Sequence, residues 1–312
     1  MVSIRRSLSV AALVALVAAA ATTPAAQSPA QASSTRVETL KKALPEINQI
    51  FATFARTNRV PGIAYGVLVD GELIHSGFPG TRERQSMAPV TMDTVFRIAS
   101  MTKSFTALAI LKLRDEGKLS LEDPAERYVP ELASLKYPTT DSPKITIRHL
   151  LSHAEGFPED NPWGDQQLAV TDDEFTALLK SGIPFSTAPG TSYEYSNYGF
   201  AILGRIVTRV SGTPYADFVH TQILQPLGMT ATTLEPAAVP ADRLAHGYRW
   251  EDAQWKEEPQ LPDGAFGSMG GMLTSTRDLA KYVGFLMSAW PPRSDADPGP
   301  VRRASLREMQ QA

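Results

Sequence analysis

Ser100, Met101, Thr102 and Lys103 place a hydroxyl and an amine three residues apart at the start of a mostly apolar stretch. On a helix, positions i and i+3 share a face, so the two side chains come within hydrogen-bonding reach. A serine is a weak nucleophile until a base takes its proton. A lysine serves as that base only if its pKa falls from about 10.4 toward neutrality. Burial lowers it, and the flanking Ile98-Ala99 and Phe105-Thr106-Ala107-Leu108 are apolar enough to bury Lys103. A helix N-terminus also favours negative charge, which suits an alkoxide developing on Ser100. Taken alone, the tetrapeptide reads first as a capping serine and a solvated lysine.

A second group of polar side chains is Tyr195-Ser196-Asn197, between a Pro189-Gly190 turn and an apolar run. Tyr195 could relay the serine proton or protonate a leaving group, and the amide of Asn197 could hold Lys103 and a substrate carbonyl. Alone, this tripeptide reads as a helix cap with an aromatic staple. Other candidates carry less. Gly267-Ser268-Met269-Gly270 has Phe266 where a G-x-S-x-G elbow needs glycine, so it reads as a tight turn. His149 and His153 are four apart but lack a third ligand, so no metal site is expected. The absence of cysteine excludes thiol nucleophiles, zinc-thiolate sites and iron–sulfur ligation.

The elements that must position these groups are partly legible. Leu40, Leu44, Ile47, Phe51 and Phe54 predict an amphipathic helix over 36–57, kinked or divided at Pro45. The runs 62–69 and 72–78, joined by Asp70-Gly71, predict a β-hairpin. A nearly all-apolar helix starts near Ser100 and stops at Gly117. Residues 118–190 are richer in proline and turn signals. Two more helices follow, Tyr198 to Val210 capped by Ser196 or Asn197, and Thr276 to Ala289 capped by Ser275 or Thr276. Strands and helices without regular βαβ alternation predict an α+β fold. One hairpin is not stable alone, so more sheet or a covering helix is required.

The chain has 312 residues, 43% of them hydrophobic, and a net charge of −3, enough for one large or two ordinary domains. No basic footprint for nucleic acid is present. Arg5 and Arg6, an apolar run from Leu8 to Ala21 and a small-residue stretch predict an export signal over residues 1–32. The expected location is therefore periplasmic or secreted, with no membrane span left after cleavage.

Four segments in order are similar to a known family: FRIASMTKSFTALAILKLRDEGKLSLEDP, ITIRHLLSHAEGFP, PGTSYEYSNYGFAILGRIV and GSMGGMLTSTRDLAKY. They resemble the β-lactamase-related serine hydrolases, which include class C β-lactamases, penicillin-binding proteins, D-alanyl carboxypeptidases and esterases. The resemblance runs from about Val60 to the end. It implies a β-lactamase/transpeptidase-like α+β fold: an antiparallel sheet flanked by helices, with a mainly helical insertion over about 118–260 of a catalytic domain 33–312. It also implies a covalent acyl-enzyme, with Ser100 as nucleophile, Lys103 as base partner, Tyr195 as proton relay and Asn197 as substrate-contacting amide. No cofactor or metal is implied. The expected partner is a small molecule with an amide, lactam or ester carbonyl, and the expected state is a monomer. The Tyr-x-Asn form resembles the class C and esterase branch rather than the Ser-Asp-Asn branch.

Two departures stand out. Where many relatives read His-Thr-Ser-Gly-Leu, this chain has His153-Ala154-Glu155-Gly156-Phe157; Glu155 is expected to be a surface variation, or else to alter pocket polarity. The family's third motif, Lys-Thr-Gly or His-x-Gly, is not found after Asn197. The expectation is that the C-terminal strands are missing, that the chain is a partial gene product, and that its activity suffers from a lost oxyanion donor. Rival readings are an esterase or peptidase without β-lactam turnover, and a catalytically inactive binding protein on the same scaffold.

Overall fold

The computed structural model describes residues 29–297 and 299–311. The expected leader, residues 1–32, lies outside the described residues except for its last four, which open the first helix.

Helix α1 (Pro29–Thr57) is one run with Pro45 inside it, so the expected division at Pro45 does not occur. Phe51 of α1 stacks on Tyr65 of β1 (Tyr65–Val69), with ring centroids 3.9 Å apart. This covers one side of the hairpin that β1 makes with β2 (Glu72–Gly77). Asp70 and Gly71, which join the two strands, have φ of 52° and 88°. A two-residue hairpin turn with both φ positive follows the right-handed strand twist, and Gly adopts it without penalty.

Short strands β3 (Thr81–Glu83) and β4 (Ala88–Pro89) pair antiparallel. Strand β5 (Val95–Arg97) leads into a single 3₁₀ turn, Ala99–Met101, and then helix α2 (Thr102–Asp115). The prolines and turns of 118–190 support α3 (Ile147–Leu151), α4 (Gly164–Gln167) and α5 (Asp172–Ser181). Helix α6 (Asn197–Ser211) is capped by Ser196, whose hydroxyl accepts from the Gly199 amide, and stops at Gly212 in the left-handed conformation. Then come α7 (Tyr215–Val219) and a hairpin of β6 (Gly247–Glu251) and β7 (Gln254–Glu258). The last elements are α8 (Gly267–Gly270), β8 (Leu273–Ser275), α9 (Thr276–Met287) and α10 (Arg303–Met309). Ser275 caps α9 by accepting from the Asp278 amide.

The architecture is α+β, with every strand pair among the described residues antiparallel. The β5–β8 pair matters most for the site. Val95 faces Ser275 and Arg97 faces Leu273, so the chain entering Ser100 runs beside the chain leaving Gly271. Helix α2 buries Phe105, Leu108, Ala109, Ile110, Leu111 and Leu113 in the same core as Ile202, Leu203, Ile206 and Val207 of α6, and Phe105 stacks on Tyr282 of α9. Each buried Phe, Leu, Ile or Val among them contributes about 1.5–3 kcal/mol, so α2 is fixed along most of its length. Gly204 lets α6 approach α8: a Cβ there would lie 2.3 Å from Ser268 Oγ.

Candidate active site

Ser100 sits on the 3₁₀ turn rather than inside α2, and it is exposed. The residue before it, Ala99, has φ of 45°. A non-glycine residue in that region carries strain, which persists only where the surroundings hold it. Thr102 supplies the hold. Its hydroxyl donates to the Ala99 carbonyl at 2.6 Å and accepts from the Met272 amide at 3.1 Å. The serine turn is thereby tied to the strand beside it.

Lys103 is 7% exposed. Its Nζ lies 3.2 Å from Ser100 Oγ, 2.8 Å from Asn197 Oδ1 and 2.8 Å from the Met269 carbonyl. An ammonium has three N–H bonds, and each has an acceptor here. When the amine is neutral, two N–H bonds remain for Asn197 and Met269, and the lone pair is left facing Ser100. The contacts thus orient the free amine as a base toward the hydroxyl. Burial pushes the Lys103 pKa down to about 8, against an upward pull from the Asp160 charge.

The phenol of Tyr195 donates to Ser100 Oγ at 2.7 Å. Burial raises its pKa, so it stays neutral and remains a donor. The Lys103 amine lies 4.8 Å from the centre of the Tyr195 ring. The His153 ring stacks on Tyr195 with centroids 4.6 Å apart. His153 Nδ1 accepts from the Ser196 amide at 3.1 Å, which leaves Nε2 to carry the proton of the neutral ring. Burial, with the Lys103 charge behind it, pushes the His153 pKa down to about 4. A cavity of about 250 Å³ opens at Ser100, lined also by Arg97, Asn161, Asn197 and Gly270.

The four residues expected from sequence therefore come together, from two segments 95 residues apart. Three contributors were not foreseen. The Met269 carbonyl comes from the Gly-rich segment, which forms a short helix rather than a bare turn. Gly267 and Gly271 permit this, because a Cβ at either would collide with Asp263. Asp160 reaches the start of α6, and His153 supports Tyr195 instead of pairing with His149, which caps α3 through Thr146. Ser268 is structural, being 2% exposed and donating to the Phe200 carbonyl at 2.9 Å. Glu155 corrects the surface expectation: it is 0% exposed, and its carboxyl oxygens have no close hydrogen bond, only the weaker pull of the Ser196 hydroxyl and of its own amide. Burial pushes its pKa up to about 8. Among the described residues, no group of three or more His, Cys, Asp or Glu could hold a metal ion, and no helix is long and apolar enough to cross a membrane.

The chain is similar to known proteins in sequence and fold. The Beta-lactamase family model matches residues 47–311. The chain belongs to the beta-lactamase family. It is 32% identical to "Beta-lactamase-like protein 2" of Dictyostelium discoideum over 261 residues, covering 81% of this chain and 47% of that one. It is 33% identical to "Esterase EstB" of Burkholderia gladioli over 196 residues, 59% of this chain and 49% of that one. Among solved structures it is similar to an octameric penicillin-binding protein homologue from Pyrococcus abyssi, with a TM-score of 0.73 and 28% identity. That match covers 86% of this chain and 60% of the other. The beta-lactamase/transpeptidase fold expected from the sequence is thus the fold of this family member. The chain spans about half the length of the curated relatives it matches.

Proposed function

We propose that this protein is a serine hydrolase acting through an acyl ester on Ser100, on small substrates with an ester, lactam or amide carbonyl. The observation that carries the reading is the chain of contacts Tyr195 Oη to Ser100 Oγ at 2.7 Å and Ser100 Oγ to Lys103 Nζ at 3.2 Å. It joins a nucleophile, a buried amine and a neutral phenol in one row.

In the proposed cycle, Ser100 Oγ bonds to the carbonyl carbon and its proton passes to the Lys103 amine. The tetrahedral centre collapses, the bond to the leaving nitrogen or oxygen breaks, and that atom takes a proton through Tyr195. The Lys103 ammonium then gives its proton to the Tyr195 oxygen, which restores the neutral amine and the neutral phenol. Water then adds to the ester, giving its proton to the free amine, and Ser100 regains a proton as the acid departs. Asn197 holds Lys103 through Oδ1, and in this reading its amide nitrogen donates to a substrate carbonyl. The relatives named above as an esterase and a penicillin-binding protein homologue support ester and peptide-like substrates as the classes to try. Residues 1–32 support action outside the cytoplasm.

The test is turnover of a chromogenic ester, a chromogenic cephalosporin and a D-alanyl peptide by the protein and by Ser100→Ala. Hydrolysis of at least one substrate, abolished by the substitution, is the expected result. Equal background rates for both proteins on all three would overturn the proposal.

A further inference from the structure

The segment 153–160 brings two acids to the first turn of α6. One of them, Asp160, is 6% exposed. Its Oδ1 accepts from the Asn197 amide at 2.6 Å and its Oδ2 from the Tyr198 amide at 2.9 Å. The first N–H groups of a helix have no partner within it. Here Asp160 takes two of them, and the Ser196 hydroxyl takes that of Gly199 at 3.1 Å. The carboxylate therefore fixes the backbone of Asn197, the residue whose Oδ1 receives Lys103 Nζ at 2.8 Å. It is also the acid whose charge reaches Lys103.

We infer that Asp160 is a positioning residue for the reaction at Ser100: its carboxylate clamps Asn197 against Lys103 and supplies the negative charge that balances the Lys103 ammonium. The role rests on the acyl-enzyme reading above. Asp160 touches neither Ser100 nor the open cavity in the contacts observed, so it works through Asn197 and Lys103. A simple helix cap would need only the two amide contacts. The added role follows from where the capped residue points.

The groups around this pair decide how it titrates. Facing Lys103 are Ser100 from the 3₁₀ turn before α2, Asp160 and His153 from the 153–160 segment, Tyr195 from the loop before α6 and Asn197 from its first turn; α8 contributes the Met269 carbonyl. Facing Asp160 are Lys103, Tyr195, Tyr198 and Glu155. His153 is neutral above its pKa of about 4. Glu155, at about 8, titrates in the same range as Lys103. Every comparison is therefore made in the wild-type and Glu155→Gln backgrounds.

Two readouts separate this inference from the reading beneath it. The first is the Lys103 titration followed by NMR on the full chain with labelled lysine side chains, the signal assigned with Lys103→Met. The second is the pH dependence of Ser100 acylation by a fluorophosphonate. In Asp160→Asn one acceptor oxygen stays and the charge goes, so Lys103 holds its proton less tightly. Its midpoint, and the rising limb of acylation, are expected to move to lower pH by about one unit in both backgrounds. Asp160→Glu keeps the charge and is expected to hold the midpoint near wild type. Asp160→Ser, with a small uncharged acceptor, repeats the shift if the asparagine variant does not fold. A Lys103 midpoint that stays in place in the uncharged variants overturns the inference, even if those variants are less stable. Absence of acylation in the wild type would count against the Ser100 reading, while the NMR titration would still decide the role of Asp160.

Discussion

The row of reacting groups and the loop directly behind it treat buried polar atoms in opposite ways. In the row, Lys103 has three partners, Ser100 Oγ has two, and the Asn197 backbone is held by Asp160. A few residues away, the Glu155 carboxyl is fully buried without a close hydrogen bond, and the Ser196 hydroxyl and its own amide do not offset that burial. A buried carboxylate with so little compensation is costly, and such a group takes up a proton instead. The site thus keeps a charge where donors and acceptors surround it, and sheds one where they do not. Gly199 marks how tightly Glu155 is enclosed, since a Cβ there would lie 2.4 Å from its Oε1.

Breaking the satisfied side of this comparison has the largest expected effect. Lys103→Met keeps the stem and removes the amine, leaving Asn197 Oδ1 and the Met269 carbonyl without their donor. Ser100 acylation is expected to fall by about 10³, within the range for loss of a general base. Stopped-flow labelling measures it, and a drop of less than about tenfold would remove Lys103 from the base role.

The unsatisfied side gives a smaller, pH-dependent effect. Glu155 has a folded pKa of about 8, above the unfolded carboxyl value. Its contribution is therefore fully present below about pH 4.5, the unfolded value, and is lost as pH rises through 8. Lys103 has the opposite sign: its pKa is depressed to about 8, so its contribution is lost as pH falls through that value. Comparing wild type with Glu155→Gln isolates the acid. The substitution is expected to raise relative stability progressively from pH 5 to 9 in urea unfolding curves. A difference that does not change with pH would mean that Glu155 is ionised throughout or has found a partner.

The smallest effect concerns the support of α8. Thr106 is fully buried; its hydroxyl donates to the Ser268 carbonyl at 2.7 Å and meets Tyr215 Oη at 2.7 Å. Thr106→Val strands both partners and is expected to cost about 1–3 kcal/mol in the same unfolding measurement. A neutral result would show that α8, and with it the Met269 carbonyl, is held by packing alone.

What was legible in the sequence follows from range. The two halves of the row are short motifs, each within one segment, and helical spacing or a capped helix start announces them. Helices α2, α6 and α9 were readable because their apolar faces and caps are local. The Met269 carbonyl was not readable, because a backbone acceptor leaves no side-chain signal. Asp160 lay in a turn-rich stretch and acts on residues 37 and 38 positions later. Strands β3, β4, β5 and β8 are two or three residues long, too short to show a period of two. The β6–β7 hairpin was hidden by its turn. Asp252 and Ala253 both have positive φ, 52° and 58°, where the usual sequence has glycine second. Glu155 looked like a surface residue because charge normally means exposure.

The central claim is a covalent bond to one hydroxyl, and peptide mass mapping after treatment with a fluorophosphonate tests it most directly. The prediction is a single phosphonylated peptide carrying the adduct on Ser100, formed faster as pH rises through about 8, where Lys103 loses its proton. A folded protein with an unmodified Ser100, or with the adduct on Ser268 or another serine, would contradict it.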